Sequence, residues 1–293
     1  LRPSSRGDSR ARHRGRRQRM SGVLDHDLDL YSVQAAPHRL NDLSCAHDRK
    51  SMFDRDGFLV IGKAISIERT QAAIQAVDDL IDGMVPDFRG VQFEPGHGDK
   101  SELKGDARRR AVRKLMRFVD FDPRLHELAY DTDLLAVVSL LMDGQQPHLF
   151  QDMALLKPPG GSEKPWHQDM AYFNVPIDTP VIGVWIALED ANVDNGALRM
   201  QPGSHLLGPM EHFKRRDWQI CDTQIDRGRD LAVPLPAGGA LIWHGLTQHG
   251  SPINRSDQRR RALQFHYRPA STQETTAEER MAIYGGDVRG AEC

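Results

Sequence analysis

Cysteine is scarce in this sequence. The 293 residues include only Cys45, Cys221 and Cys293, and no two of them form a Cys-x-x-Cys pair. So sparse and odd a set argues against a disulfide framework and against a structural zinc site. It reads as free thiols in a reducing compartment, and a cytoplasmic location is expected. Long apolar runs are missing as well: nothing approaches the roughly 18 consecutive apolar residues that signal a membrane span. Excess positive charge is confined to one end. Residues 1–19 hold eight Arg and one Asp, a charge of +7, so the formal −2 of the whole chain less that +7 leaves −9 for the remainder. A mildly acidic body does not suggest nucleic-acid binding. The partner expected is a small-molecule substrate, with no nucleic acid, membrane or obligate protein partner.

The Arg-rich start has almost no apolar residues and cannot pack against a core. Arg16-Arg17 is not followed by a hydrophobic run, which argues against a secretory or twin-arginine signal. Met20-Ser21-Gly22 reads as an ordinary start, so residues 1–19 are expected to be an upstream extension. Residues 1–30 are expected to be disordered, and 31–293 to form a single domain.

Beyond the extension the chain changes texture once. Its first half reads as helical. Leu43–Ala64 gives a short helix, then an extended run after the turn glycine of Asp56-Gly57-Phe58-Leu59-Val60-Ile61. Ser66 can cap a helix to about Asp82, with Ile67, Thr70, Ile74, Val77 and Ile81 at helical spacing and Gly83 at its end. Residues 86–110 are polar and irregular, the pattern of a lid or substrate loop, with His97 and Arg108-Arg109-Arg110 read as solvated. Asp122 can cap and Pro123 open one further helical region ending at Gly144. After Gly144, short β-like runs separated by Pro/Gly turns take over: His148–Lys157, Val181–Leu188, Ala197–Met200, Leu231–Leu235, Ala240–Trp243 and Ala262–Tyr267. A capped helix is expected at Thr275–Arg280. Helices first and short strands afterwards suggest a helical layer on an antiparallel sandwich or barrel.

The chemistry concentrates in Trp166-His167-Gln168-Asp169. On a β-strand, residues i and i+2 share a face, so His167 and Asp169 can present two metal ligands together. His249 offers a third, with His244 as its competitor. Two imidazoles and a carboxylate make the facial triad of non-heme Fe(II) oxygenases, which leaves positions open for co-substrate and dioxygen. By itself a His-x-Asp match is weak, and a surface His and Asp near a turn is its bland alternative.

Other motifs line up with this one. Lys157-Pro158-Pro159-Gly160-Gly161 precedes it. Gly183-Val184-Trp185-Ile186-Ala187-Leu188, Asn195-Gly196-Ala197-Leu198 and Pro202-Gly203-Ser204-His205 follow. His249-Gly250-Ser251-Pro252-Ile253-Asn254 comes next, then an arginine eleven residues past His249. In order and spacing, from about Met52 to Pro269, the chain resembles the phytanoyl-CoA dioxygenase family of Fe(II)/2-oxoglutarate oxygenases. The resemblance implies a mainly β fold with supporting helices, built on a double-stranded β-helix (jelly-roll) core. It implies Fe(II), 2-oxoglutarate as co-substrate and O2. By the family's His-Gly-Ser pattern it selects His249 over His244, making His167, Asp169 and His249 the catalytic metal ligands. Arg260 matches the arginine that grips the distal carboxylate of 2-oxoglutarate, and Ser251 a residue that hydrogen-bonds the same group. Gln151 and Trp185 match positions lining the co-substrate pocket, although strand packing would place them equally well. If Arg260 points inward, Arg259 and Arg261 point away. His266, on the same parity, can face substrate or simply pack, while His205 reads as a turn residue near the rim.

The activity implied is a dioxygenase that hydroxylates an unactivated C–H of a small molecule, releasing succinate and CO2. Two rivals stay open: a Zn-dependent hydrolase or isomerase on the same barrel, and a non-catalytic barrel that binds a small molecule.

Overall fold

The computed structural model describes residues 46–94 and 102–285. The expected extension over 1–30 and His97 lie outside the described residues. In chain order the elements are α1 (Ala46–Asp56), β1 (Phe58–Ile61), α2 (Ile67–Asp82), β2 (Val91–Phe93), α3 (Gly105–Ala111), β3 (Val112–Met116), α4 (Pro123–Ala129), α5 (Thr132–Leu141) and β4 (Pro147–Lys157). Then come β5 (Lys164–His167), β6 (Ile182–Ala187), β7 (Leu198–Met200), β8 (His212–Lys214), β9 (Trp218–Ile220), β10 (Leu231–Val233), β11 (Ala240–His244), β12 (His249–Ser251), β13 (Arg260–Pro269) and α6 (Ala277–Tyr284).

A seven-stranded sheet runs β1-β11-β6-β13-β4-β3-β2, a four-stranded sheet runs β10-β7-β12-β5, and β8 pairs with β9 alone. The ladders are antiparallel. This is the jelly-roll core, with the helices that precede β4 on one face and α6 against the 3-10 turn Asp169–Tyr172. The period-2 alternation of the central strands explains the layering. Ile182, Val184 and Ile186 of β6, with Leu263, Phe265 and Tyr267 of β13, face out under the helices, where Phe53, Val77, Leu80, Leu125 and Val138 complete the larger core. Trp185, Ala187 and Ala262 face the opposite way and meet Leu198, Met200 and Val233 between the sheets. Tyr267 ties the layers together, its hydroxyl donating to the Ala129 carbonyl at the end of α4 (2.6 Å).

The caps follow the sequence. Ser66 accepts from the Arg69 N–H, and Gly83 takes the left-handed conformation, φ 78°. Asp122 caps α4 with Pro123 at its first position, and Thr276 forms a capping box with Glu279. The single helix expected after Asp122 is two. Asp131 accepts from the Asp133 and Leu134 N–H groups and starts α5 afresh, an Asx cap that competes with helix continuation. The stretch over 86–110 is not one irregular lid. Val91–Phe93 is the edge strand of the larger sheet, and Gly105–Ala111 is a short helix. Its arginines are anchored rather than solvated: Arg109 pairs with Asp78 and Asp82, and the Arg108 Nε donates to the Ile81 carbonyl (2.7 Å). Arg110 is exposed and pairs with Asp106 one turn earlier.

Candidate active site

β5 stops at His167, and Asp169 opens a 3-10 turn, Asp169–Tyr172. The two ligands therefore do not share one strand face as the spacing suggests. Asp169 is brought round by the turn. His249 lies directly opposite His167 in the β12–β5 ladder, and the two imidazoles sit 4.2 Å apart, centroid to centroid. One ligand atom from each of His167, Asp169 and His249 lies within 4.8 Å of the others. Asp169 Oδ1 is 3.5 Å from His167 Nε2 and 3.7 Å from His249 Nε2.

Every other polar atom of the trio is spoken for. His167 Nδ1 donates to the Pro165 carbonyl (2.8 Å), and His249 Nδ1 to the Thr247 carbonyl (2.9 Å). Each bond fixes the tautomer that leaves a bare Nε2 lone pair facing the convergence point. Asp169 Oδ2 accepts from Trp243 Nε1 and His266 Nε2, both at 2.8 Å. Oδ1 is left as the free ligand atom. Burial pushes His167 down to about 3, helped by the neighbouring His249 charge. His249 is lowered by burial too, against the pull of Asp169. Burial works to raise Asp169, but His249 and His266 outweigh it and hold the carboxyl well below its usual range. Neutral imidazoles beside an ionised carboxylate are what a divalent metal requires.

The backbone between the ligands is clamped as well. His212 Nε2 accepts the Gln168 N–H (3.1 Å) while its Nδ1 donates to the Met210 carbonyl (2.8 Å). The Gln168 carboxamide donates to the Gly208 and Leu246 carbonyls and accepts from the Met210 N–H. His244, the competitor for the ligand role, lies apart from the triad and stacks obliquely near Phe53 and His205.

The triad opens into a cavity of about 400 Å3 whose wall includes Gln151, Ser251 and Arg260. Arg260 is buried and its Nη1 donates to the Gly196 carbonyl (3.0 Å). Its Nε is buried without a partner, and burial lowers its pKa to about 10. Trp185 is not among the wall residues. Its indole sits against the Arg260 guanidinium (5.1 Å), with its own Nε1 unpartnered. Arg259 and Arg261 turn the other way, Arg259 to the Arg109 carbonyl and Arg261 to Asp78 and Glu189. Buried, orphaned donors beside an open triad fit a small carboxylate-bearing co-substrate. On the opposite flank Lys164 bonds Asp217 (2.6 Å) and the Tyr172 hydroxyl (2.9 Å), which bonds the Trp218 carbonyl (2.5 Å) and so ties the β8–β9 hairpin to the metal loop.

An antiparallel jelly roll carrying two histidines and a carboxylate with a free side presents a mononuclear metal site of the kind that non-heme oxygenases use. The phytanoyl-CoA dioxygenase (PhyH) family profile matches residues 53–262. The chain belongs to that family of non-heme iron, 2-oxoglutarate-dependent dioxygenases. Among curated relatives, phytanoyl-CoA dioxygenase domain-containing protein 1 of Danio rerio is 26% identical over 262 residues, covering 73% of this chain and 87% of that protein. The Mus musculus protein of the same name is 34% identical over 160 residues, 51% of this chain and 54% of its own. Solved structures share the fold. EvdO2 from Micromonospora carbonacea var. aurantiaca, complexed with 2-oxoglutarate, superposes with a TM-score of 0.64 at 23% identity, covering 86% of this chain and 100% of its own. The epimerase SnoN, in complex with Fe3+, alpha ketoglutarate and nogalamycin RO, gives 0.64 at 20% identity, covering 80% and 88%.

Strand parity puts His266 inward, facing substrate or packing; in the structure it instead donates to Asp169. Trp243 and His212 carried no signal at all. Gly183 was legible only as part of a motif. It lies opposite Trp243 on one side and His266 on the other, and a Cβ there would meet the Trp243 ring at 2.5 Å. Its missing side chain makes room for the indole that donates to Asp169. His266→Phe keeps a ring and removes the donor, and Gly183→Ala displaces the indole. Each is expected to weaken metal binding about 10- to 100-fold. Competition against a chromophoric chelator measures this, and wild-type affinity in both variants would remove the support role.

Burial also lowers His212 and His244 to about 4 from an unfolded 6.5. The unfolded chain therefore takes up protons first. Stability is full above about pH 6.5, and these two contributions are lost as pH falls toward 4. The melting temperature of the metal-free protein should decline across that window, and a flat profile would contradict the burial argument.

Proposed function

We propose that this chain hydroxylates an unactivated C–H bond of a small molecule, coupled to decarboxylation of 2-oxoglutarate to succinate and CO2. The reading rests on one juxtaposition. The two-His-one-carboxylate cluster and a buried arginine with no carboxylate partner among the described residues open into the same cavity. His167, Asp169 and His249 would hold the iron. Arg260 would take the distal carboxylate of 2-oxoglutarate, with Ser251 donating to it and Gln151 on the wall beside it. A guanidinium fork suits a carboxylate in a way that a hydrolase or isomerase on the same ligands would not need. Iron, co-substrate and O2 together supply the oxidising power.

The protein's part is positioning and exclusion of water. Trp243 and His266 orient the carboxylate, and the Pro165 and Thr247 carbonyls orient the imidazoles. Related halogenases carry a small residue where this chain has Asp169, so the intact carboxylate favours oxygen transfer. Gln92, Glu94, Arg113, Lys114 and Asp217 on the cavity wall suit a polar substrate. The complexes of SnoN and EvdO2 support the iron and 2-oxoglutarate assignments by likeness of fold.

The test is turnover under 18O2 against a panel of polar small molecules. Succinate in equal amount to an alcohol carrying 18O is expected. Succinate with an epimerised, cyclised or desaturated product free of 18O would overturn hydroxylation. Turnover without succinate by a zinc-loaded protein would overturn the oxygenase reading altogether.

A further inference from the structure

The run Lys157-Pro158-Pro159-Gly160-Gly161 carries chemistry that the motif alone does not disclose. Lys157 ends β4 directly opposite Arg260, the first residue of β13, and both belong to the cavity wall. Lys157 is only 7% exposed. Its Nζ donates to Ser251 Oγ at 2.8 Å and to the Pro252 carbonyl at 2.5 Å. An ammonium has three protons, so one remains. Among the described residues neither Lys157 nor Arg260 has a carboxylate within ion-pair distance. Burial, with Arg260 acting in the same direction, holds the Lys157 ammonium well below its usual range, while Glu163 and Glu94 oppose this only from further away.

Three separate motifs converge to hold this one side chain. Gly196 stands at φ +87°, and a Cβ there would meet Lys157 Cδ at 3.0 Å and Nζ at 3.3 Å. At Gly161 a Cβ would meet Lys157 Cγ at 2.9 Å. Asn254 Nδ2 donates to the Pro158 and Gln258 carbonyls (3.0 and 2.7 Å) and fixes the backbone on both sides. Two glycines thus clear a channel for a long side chain, and an asparagine braces it. Packing alone would be met by a leucine or methionine. A buried amine beside a buried guanidinium is driven toward its neutral form, and an anion placed between them would favour the ammonium.

We propose that Lys157 is a second cation of the co-substrate clamp. Together with Arg260 it recognises the distal carboxylate of 2-oxoglutarate. Because Ser251 Oγ accepts from Lys157, the hydroxyl proton of Ser251 is turned toward that carboxylate. The assignment rests on the 2-oxoglutarate reading above. It adds selectivity: the pair of cations favours 2-oxo acids with a second carboxylate over those with a methyl group in its place.

The experiment is anaerobic calorimetric binding to the Mn(II)-loaded full chain. Titrants are 2-oxoglutarate and 2-oxopentanoate, which has a methyl where the distal carboxylate would be. Wild type, Lys157→Met and Lys157→Gln are compared, and each ligand-free variant is also melted. Lys157→Met is expected to bind 2-oxoglutarate about ten- to a hundredfold more weakly, as for loss of a hydrogen bond to a charged group. Its affinity for 2-oxopentanoate should be unchanged and its melting temperature no lower than wild type. Lys157→Gln keeps donors for Ser251 and Pro252 without the charge, and should fall between. Equal 2-oxoglutarate affinity in all three proteins would overturn the assignment. So would an equal weakening for both acids together with a lowered melting temperature, which is the signature of packing. A wild type that binds no 2-oxoglutarate would overturn the co-substrate reading itself, and this assignment with it.

Discussion

Asp169→Asn should abolish turnover while leaving the fold intact. Oδ2 of Asp169 is the shared acceptor for Trp243 Nε1 and His266 Nε2. Asparagine has one acceptor oxygen, and those two donors will claim it. The NH2 is then turned toward His167 and His249, whose bare Nε2 atoms lie 3.5 and 3.7 Å from the present Oδ1. An amide there donates to the two lone pairs that the metal requires. The site becomes satisfied without metal. Loss of a partner behind a ligand already costs about 10- to 100-fold in metal affinity, so loss of the ligand should exceed about a hundredfold in both metal affinity and kcat/KM. The melting temperature of the metal-free variant should be unchanged or higher, because a buried charge has been removed. Metal analysis after dialysis, with a melting curve, decides it. Iron retained at wild-type affinity would remove Asp169 from the ligand set.

Arg260→Met should raise the dissociation constant for 2-oxoglutarate by about thirtyfold or more. Removing one member of a buried charge pair costs roughly 2–5 kcal/mol, and about 1.4 kcal/mol corresponds to tenfold. Methionine fills similar space and leaves no charge behind. Arg260→Lys should restore little, because an ammonium cannot reproduce two parallel N–H donors, and it would lose the bond to the Gly196 carbonyl. Metal binding should be unaffected in both variants. The anaerobic visible titration of Fe(II) and 2-oxoglutarate reads this directly. A chelate band that saturates at the same concentration in wild type and Arg260→Met would leave the arginine without its role.

His167 and Asp169 were legible as a pair two residues apart, whereas the choice of His249 over His244 and the role of Arg260 came from the order of the family's motifs. Parity along β13 correctly separated Arg260 from Arg259 and Arg261, and the same parity put His266 inside. What the sequence could not supply were relations across sheets. Trp243 and His266 reach Asp169 from β11 and β13, and nothing local to either residue marks that meeting. The 3-10 turn after His167 was hidden for another reason: alternation predicts a shared face equally well whether the strand continues or stops. His212 was invisible because its partner is a backbone N–H, which every residue offers. Lys157 lay inside a motif already noticed, but a lysine in sequence gives no sign that it will be buried. Among the helices, the break at Asp131 was missed because the apolar spacing of Leu125, Leu128, Leu134 and Leu135 runs through it. A local cap overrode a pattern that otherwise reads as continuous.

The two histidines of the triad hang from the narrower sheet, on β5 and β12, whereas the residues that steady Asp169 hang from the wider one, on β11 and β13. A metal ion at the convergence point would therefore work as a clasp between the two layers. The spacing of the layers and the bite of the carboxylate become one mechanical variable. A substrate that wedges the layers apart, or a mutation that lets them slide, would be transmitted to the metal without touching a ligand. Conversely, loading the metal should slow amide exchange at the margins of both sheets together.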